Sequence, residues 1–221
     1  HNMINVFELL TGKSVRTIDD AHSDWINTLT TTSDNKFIVS GSVDKLVRMR
    51  GIDDGKLNLD MSGHTGAVLS VVASSDNKYI VSSSEDSTIR IWSTNDGNEL
   101  HLLKGQNDAV KCVSISSTQG VIVSGSSNGF LILWNISDGL LKKKIELGVS
   151  INSVAFTSDG KEFLAALGNG EVTIFSTDNL TVNNKLKLHS GSISSLAISS
   201  TSAFFVTSGS EDNLVKIIKL H

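Results

Sequence analysis

Five features of this sequence have residue types that could do chemistry: Gly12-Lys13-Ser14, the lone Cys112, six histidines, Asn95-Asp96-Gly97-Asn98-Glu99, and two Asn-x-Ser/Thr triplets. Gly-Lys-Ser ends a phosphate-binding loop only when another glycine stands five residues before its own. Here that position is Phe7, and no helical pattern follows, so the string reads as a turn. Cys112 lies between Val110 and Val113 in a strand-like run and reads as a small buried hydrophobe rather than a nucleophile. A single cysteine allows no internal disulfide and leaves a cysteine-based zinc site without ligands, so the expectation is no metal, no cofactor and a reducing, cytoplasmic compartment. The histidines are scattered, and Asn95 to Glu99 lacks the alternating carboxylates of a calcium loop, which makes it a hairpin turn. Asn135-Ile136-Ser137 and Asn179-Leu180-Thr181 spell glycosylation acceptors, which matter only in a secreted chain, and both are discounted.

The elements that would position such residues follow from composition and repetition. With 221 residues, 39% hydrophobic and 19% charged, the chain is long enough for one domain with a sizeable core. No apolar run approaches the ~18 residues of a membrane helix, so a soluble globular protein is expected. A net charge of -4 argues against nucleic acid as the principal partner. Proline is absent where average usage gives roughly eleven, so the turns must be made with Asp, Asn, Gly and Ser. The opening His1-Asn2-Met3 carries neither an initiator methionine nor a signal peptide, which suggests a piece of a longer protein.

The chain is a repeat. The first apolar residue of each unit is Ile26, Val68, Val110, Ile151 and Ile193, at intervals of 42, 42, 41 and 42. A turn residue, Asp44, Asp86, Asn128, Asn169 and Asp212, keeps step with it. Each unit holds short apolar blocks between polar turns, with few runs long enough for a helix. In the second unit the expected strands are Val68–Ser74, Tyr79–Ser84, Thr88–Trp92 and Glu99–Leu103. Four strands in about 42 residues make one sheet, and the near-continuous apolar runs Tyr79-Ile80-Val81 and Phe204-Phe205-Val206 imply burial on both faces. The fold class is all-β: a β-propeller of four-stranded antiparallel blades in five repeat units.

These residues resemble the WD-repeat β-propellers, and the resemblance spans essentially the whole chain. The second unit carries the pattern in Gly63-His64, Ser82, Asp86 and Ile89-Arg90-Ile91-Trp92. The resemblance implies that His64, Ser82, Asp86 and Trp92 form a structural hydrogen-bonded chain. The first unit has His22, Ser40 and Asp44 but Arg50 in place of the tryptophan. The third keeps Ser124 and Trp134 with Gln106 and Asn128 as replacements; the fourth reads Val149, Ala165, Asn169 and Phe175. The fifth is expected to use His189, Ser208 and Asp212, with Ile218 for the tryptophan.

Before the first full unit, Met3–Phe7 matches a third strand and Ser14–Ile18 a fourth, while the chain stops at Val215–Lys219 after a third. A piece of a larger propeller or multidomain protein is preferred over a closed five-bladed ring, in which Met3–Phe7 would be surplus. An open end would leave unpaired edges and favour self-association.

The resemblance also implies a face, built by the loops before the first strand and between the second and third, that holds partner proteins. At the position before the first strand the units read Trp25, Ala67, Ala109, Ser150 and Ser192, so Trp25 is the leading protein-binding candidate and Phe130 the next. Asp24, Lys45, Asp108 and Glu171 would form a polar rim, and Lys142-Lys143-Lys144 would blunt an outer edge. The expected function is a non-catalytic protein–protein interaction scaffold binding proteins or peptides, with no nucleic acid and no membrane. An enzyme in the central funnel would need acid, base or metal groups beside Ile26, Val68, Val110, Ile151 and Ile193, and the sequence offers none. A substrate receptor of a ubiquitin ligase resembles chains with Trp-Asp-x-Arg after the third strand. Here those positions read Trp92-Ser93-Thr94-Asn95 and Trp134-Asn135-Ile136-Ser137.

Overall fold

The computed structural model describes residues 2–220, and among these the regular elements are twenty-one β-strands. β1 (Ile4–Phe7) and β2 (Ser14–Ile18) form a two-stranded sheet. Four four-stranded sheets follow: β3 (Ile26–Thr31), β4 (Phe37–Ser42), β5 (Val47–Gly51) and β6 (Leu57–Met61); β7 (Val68–Ala73), β8 (Tyr79–Ser84), β9 (Thr88–Ser93) and β10 (Glu99–Lys104); β11 (Val110–Ser116), β12 (Val121–Ser126), β13 (Phe130–Asn135) and β14 (Leu141–Glu146); β15 (Ile151–Phe156), β16 (Glu162–Leu167), β17 (Glu171–Ser176) and β18 (Val182–Lys187). A three-stranded sheet of β19 (Ile193–Ile198), β20 (Phe204–Gly209) and β21 (Val215–Lys219) ends the series. Strands pair antiparallel with their sequence neighbours, as blades of a β-propeller do. The chain divides into two compact units, one ending at Leu102 and the other beginning at Leu103.

The turns work without proline because each repeat places a left-handed residue at fixed points. Asn35, Asn77, Gly120, Gly160 and Ser202 hold positive φ between first and second strands. Lys45, Ser87, Gly129, Gly170 and Asn213 do so between second and third. Asn and Gly tolerate this region; Lys45, Ser87 and Ser202 pay roughly 1 kcal/mol for it. Nothing in the structure explains why proline is absent.

Second strands are the most buried. The side chains of Ile80 and Val81 in β8, and of Val121, Ile122 and Val123 in β12, are at most 1% exposed. Sheets cover one another through these strands. In the first unit Val39, Val47 and Met49 pack on Val68 and Val71 of the next sheet. In the second unit Val121, Val123 and Leu131 pack on Ile151 and Val154, and Leu164 and Ala166 on Ile193 and Leu196. β20 departs from the pattern: its Phe204 is 46% exposed, so the continuous apolar run there is not buried on both faces.

Every first strand of a full repeat carries a bulge at its second residue: Asn27, Leu69, Lys111, Asn152 and Ser194. Three of these residues stitch neighbouring sheets, Lys111 Nζ donating to Asn152 Oδ1 at 2.8 Å. Asn27 Nδ2 donates to the Val68 carbonyl at 3.0 Å, and Asn152 Nδ2 to the Ile193 carbonyl at 2.8 Å.

Close sheet packing fixes Gly125. A Cβ there would fall within contact distance of Cβ and Cγ2 of Ile151 and of the Cys112 sulfur. Gly125→Val is therefore expected to destabilise by about 3 kcal/mol through overpacking. Gly120→Asn, at a left-handed turn position with nothing within 4 Å, should stay within about 0.5 kcal/mol. Urea unfolding of both variants checks the pair.

Candidate functional site

The polar chain in the second repeat is complete. Trp92 Nε1 donates to Ser82 Oγ at 2.8 Å, Ser82 Oγ lies 2.8 Å from His64 Nε2, and His64 Nδ1 lies 2.9 Å from Asp86. An ionised Asp86 only accepts, so Nδ1 carries the ring proton and Nε2 accepts from the Ser82 hydroxyl. Ser82 Oγ is then free to accept from the indole, and each group has its partner. Burial would raise the Asp86 carboxyl, but the Thr88 hydroxyl, the Thr65 N–H and His64 together hold it down at about 2. Burial lowers His64 more than Asp86 raises it.

The other repeats solve the same problem with different residues. In the first, His22 bridges Asp44 at 3.0 Å and Ser40 at 2.7 Å, and Arg50 turns to the Ala21 and Gly55 carbonyls. The residue before the histidine position differs as well. A Cβ at Gly63 would lie 3.2 Å from the Trp92 ring and one at Gly105 3.3 Å from Trp134, and the matching residue of the first repeat is Ala21. In the third, Gln106 Nε2 and Trp134 Nε1 both donate to Ser124 Oγ, at 2.5 and 2.8 Å. Asn128 reaches the Gln106 carbonyl at 3.5 Å.

In the fourth repeat the loop Leu147–Ser150 before β15 is one residue shorter than Leu188–Ser192 before β19, which is the source of the 41-residue interval. The place of the polar chain is filled by Phe163 stacked on Phe175 at 5.2 Å, with Phe156 edge-on to Phe163 at 5.6 Å. The fifth repeat corrects the sequence reading. His189 Nε2 meets Thr207 Oγ1 at 2.9 Å, not Ser208, whose hydroxyl pairs with Ser194. A slip of one residue along a strand moves a side chain to the opposite face, so Thr207 is the register equivalent of Ser82.

The strings that resembled chemistry are structural. Gly12 is the left-handed residue of the β1–β2 hairpin, and Gly97 plays the same part between β9 and β10. Cys112 is 5% exposed, and burial pushes its thiol up to about 12.

The loop before β3 presents an exposed indole. Trp25 is 70% exposed. Its backbone is nevertheless fixed. The Val43 N–H donates to the Trp25 carbonyl at 2.9 Å, and the same bond joins Glu85 to Ala67, Ser127 to Ala109, Gly168 to Ser150 and Ser210 to Ser192. Asp24 Oδ1 accepts the Trp25 N–H at 2.7 Å, and a concavity is lined by Asn2, Ser23, Asp24 and Trp25. Lys45, exposed at a left-handed turn two residues from Val43, belongs to the same end of the first repeat.

The remaining candidates lie in the second unit and are more occupied. Lys144 Nζ sits 3.7 Å over the half-buried Phe130 ring and donates to the Gly105 carbonyl at 2.7 Å. Glu171 accepts from Thr173 at 2.9 Å and pairs with Lys185 at 3.6 Å. Asp108 is exposed, and its carboxylate accepts the N–H of Ala109 at 2.7 Å. Of the lysine run, Lys143 reaches the Asn179 carbonyl as Lys144 reaches that of Gly105.

The sequence reading did not single out Leu29. Its equivalents Val71, Val113, Val154 and Leu196 are 3 to 7% exposed, whereas Leu29 is 52% exposed. The signal available was the surplus strand Met3–Phe7, a third strand with no first or second ahead of it.

The family model for the WD domain, G-beta repeat, matches residues 12–49, 55–93, 97–135 and 180–219. These segments cover well over half of the chain, which belongs to the WD-repeat family. The longest unmatched stretch, 136–179, contains the first three strands of the fourth repeat, where the polar chain is replaced by stacked phenylalanines. Over 68 residues the chain is 32% identical to cilia- and flagella-associated protein 52 of Chlamydomonas reinhardtii, a match covering 31% of this chain and 11% of that protein.

The polar chain makes stability pH-dependent with a defined sign. His64 and His22 are lowered in the fold, so their contribution is complete above the ordinary histidine value of 6.5 and is lost as pH falls through the lower folded value. Asp86 adds a second loss between 3.8 and about 2. His64→Gln, copying Gln106, keeps a donor to Ser82 and loses Asp86. It is expected to cost about 1 to 2 kcal/mol at pH 7 and measurably less at pH 5. Urea midpoints at the two pH values check this.

Proposed function

We propose that this chain is a non-catalytic protein-interaction scaffold, with the loop face around Trp25 as its binding surface. The carrying observation is an indole that is 70% exposed on a backbone held by the same hydrogen bond in all five repeats. A rigidly presented tryptophan loses little entropy when it enters a partner pocket, which is why this residue type dominates interface energetics. Asp24 and Lys45 give the rim, and Phe130 with Asp108 and Glu171 gives a second, weaker patch on the other compact unit. WD-repeat propellers generally serve as such scaffolds. The groups with the most displaced proton affinities support the same reading. Asp86 is committed to Thr88, Thr65 and His64, and Cys112 is buried, so neither is poised for reaction.

The half-sheet β1–β2 supports placing these residues within a larger propeller or multidomain chain. The lone buried thiol suits a reducing, cytoplasmic compartment.

The test is capture of partners from native extract on the immobilised chain, beside Trp25→Ala and Phe130→Ala. A specific partner should be retained by the parent and lost on Trp25→Ala, with affinity reduced about 30-fold for a 2 kcal/mol anchor, while Phe130→Ala has the smaller effect. Thermal unfolding of Trp25→Ala should match the parent, since the indole supports no core. Binding that ignores both substitutions would overturn the site.

A further inference from the structure

The hairpin that joins β13 to β14 breaks the repeat at its tip. In each hairpin between a third and a fourth strand, a carbonyl in the turn accepts an N–H from the third strand. The residues supplying that carbonyl are Lys13, Lys56, Asn98, Leu140 and Thr181. Four are polar, whereas the fifth, Leu140, is 65% exposed, and its backbone bond is one that any residue can make. Leu141 follows at 45% exposed, and the sequence continues Lys142-Lys143-Lys144. One exposed leucine needs no explanation, but two in succession at a hairpin tip beside three lysines call for one.

Protection of an outer edge does not account for the run, since the outer strand β6 carries no lysine and β10 a single one, Lys104. Nor are the charges cancelled. Among the described residues the ion pairs include none of the three lysines, and Lys143 and Lys144 donate to the carbonyls of Asn179 and Gly105. Asp138, the acid at the tip, is turned back onto its own hairpin, where it accepts from the Leu140 N–H at 2.9 Å and from Asn135 Nδ2 at 3.0 Å. Glu146 lies at the far end of β14, opposite Phe130. The Lys143 bond to Asn179 also draws in the next hairpin, between β17 and β18, whose Val182 is 45% exposed.

We infer that this tip is a peripheral attachment site for a membrane surface rich in anionic phospholipid. Leu140 and Leu141 enter the boundary between headgroups and acyl chains, while the lysines behind them meet the negative headgroups. Apolar insertion and charge attraction are each weak alone, and here they act together. A bilayer suits a protruding apolar tip because it needs no preformed pocket, whereas an acidic protein segment would leave both leucines in water unless it brought one. A contact of this kind needs no spanning segment, whose absence from the sequence underlies the expectation of no membrane partner. β13 runs from Phe130 on the loop face to Asn135 at this hairpin, so attachment here turns the loops of the same unit away from the membrane.

The test is flotation of the chain with vesicles of phosphatidylcholine alone and with vesicles containing roughly 30% phosphatidylserine. Partition onto the anionic vesicles should be at least about tenfold stronger and should fall as salt rises. Leu140→Asn copies Asn98 of the preceding repeat, so the fold is kept, and it should weaken partition about fivefold or more. Lys142→Glu should weaken it about tenfold or more. Leu57→Asn, at a leucine 45% exposed beside the β5–β6 hairpin, and Trp25→Ala on the loop face should leave it unchanged. Equal partition onto the two kinds of vesicle, or binding indifferent to both Leu140→Asn and Lys142→Glu, would overturn the site. So would tighter binding to a soluble glutamate-rich peptide than to the anionic vesicles, which would make the lysines a dock for an acidic protein. Because Trp25→Ala is silent here, failure of this site and failure of the loop-face reading are separable.

Discussion

A sheet that is apolar on both faces has to be covered on both faces, and nearly every feature of this chain follows from that. Second strands such as Tyr79–Ser84 cannot stand in water on either side, so each sheet needs a neighbour before it and after it. The repeat supplies those neighbours at intervals of 42 residues. Small residues at Gly41 and Gly125 let the next first strand approach, where a Cβ would collide with Val68 or Ile151. The bulges, and the Asn27 and Asn152 bonds to the following sheet, serve the same approach. Covering is worth roughly 1.5 to 3 kcal/mol per buried aliphatic side chain, which makes each sheet junction larger than any one polar bond in it.

The polar chain of histidine, hydroxyl, aspartate and indole is secondary to that constraint, and its erosion shows how. A buried indole needs an acceptor, and a buried hydroxyl or imidazole needs a partner, so the loss of one member calls for a substitute partner or an apolar filling. In the first repeat the tryptophan is replaced by Arg50, whose guanidinium finds backbone carbonyls. Where the loop loses a residue before β15, histidine, hydroxyl and tryptophan go, and Phe163 and Phe175 fill the volume with no polar group to satisfy. The third repeat is the half-way case: Gln106 supplies the donor to Ser124, but its Oε1 is buried without a partner.

What was legible in the sequence was what the period of two and the period of 42 encode. The strand Ser14–Ile18 falls where the spacing predicts, Thr88–Trp92 extends one residue further, and the half-sheet at one end and three-stranded sheet at the other match the strand count. The second repeat's polar chain was readable because its spacing survives intact. The fifth was misread at Ser208 because Thr207 and Ser208 both carry hydroxyls, and only the register with Lys216 decides which one faces His189. Phe130 was readable as an exception to the repeat but not as a ring already capped by Lys144, a contact made across strands. Leu29 was invisible because its type fits its place, and what distinguishes it is a missing neighbour rather than a changed residue.

Trp25 and Leu29, four residues apart, therefore mark two different kinds of unfinished surface. Trp25 departs from the small residues of the other repeats with no structural work to do, since the hydrogen bond at its backbone is made equally well by Ala67 or Ser150. Its exposure is a property of the side chain. Leu29 conforms to the repeat and is exposed only because the sheet ahead of it has two strands. Its exposure is a property of the packing. A partner's pocket satisfies the first kind of surface with any shape that accepts an indole. Only restored cover over β3 would remove the second, so the two exposures have different physical causes although the residues lie four apart.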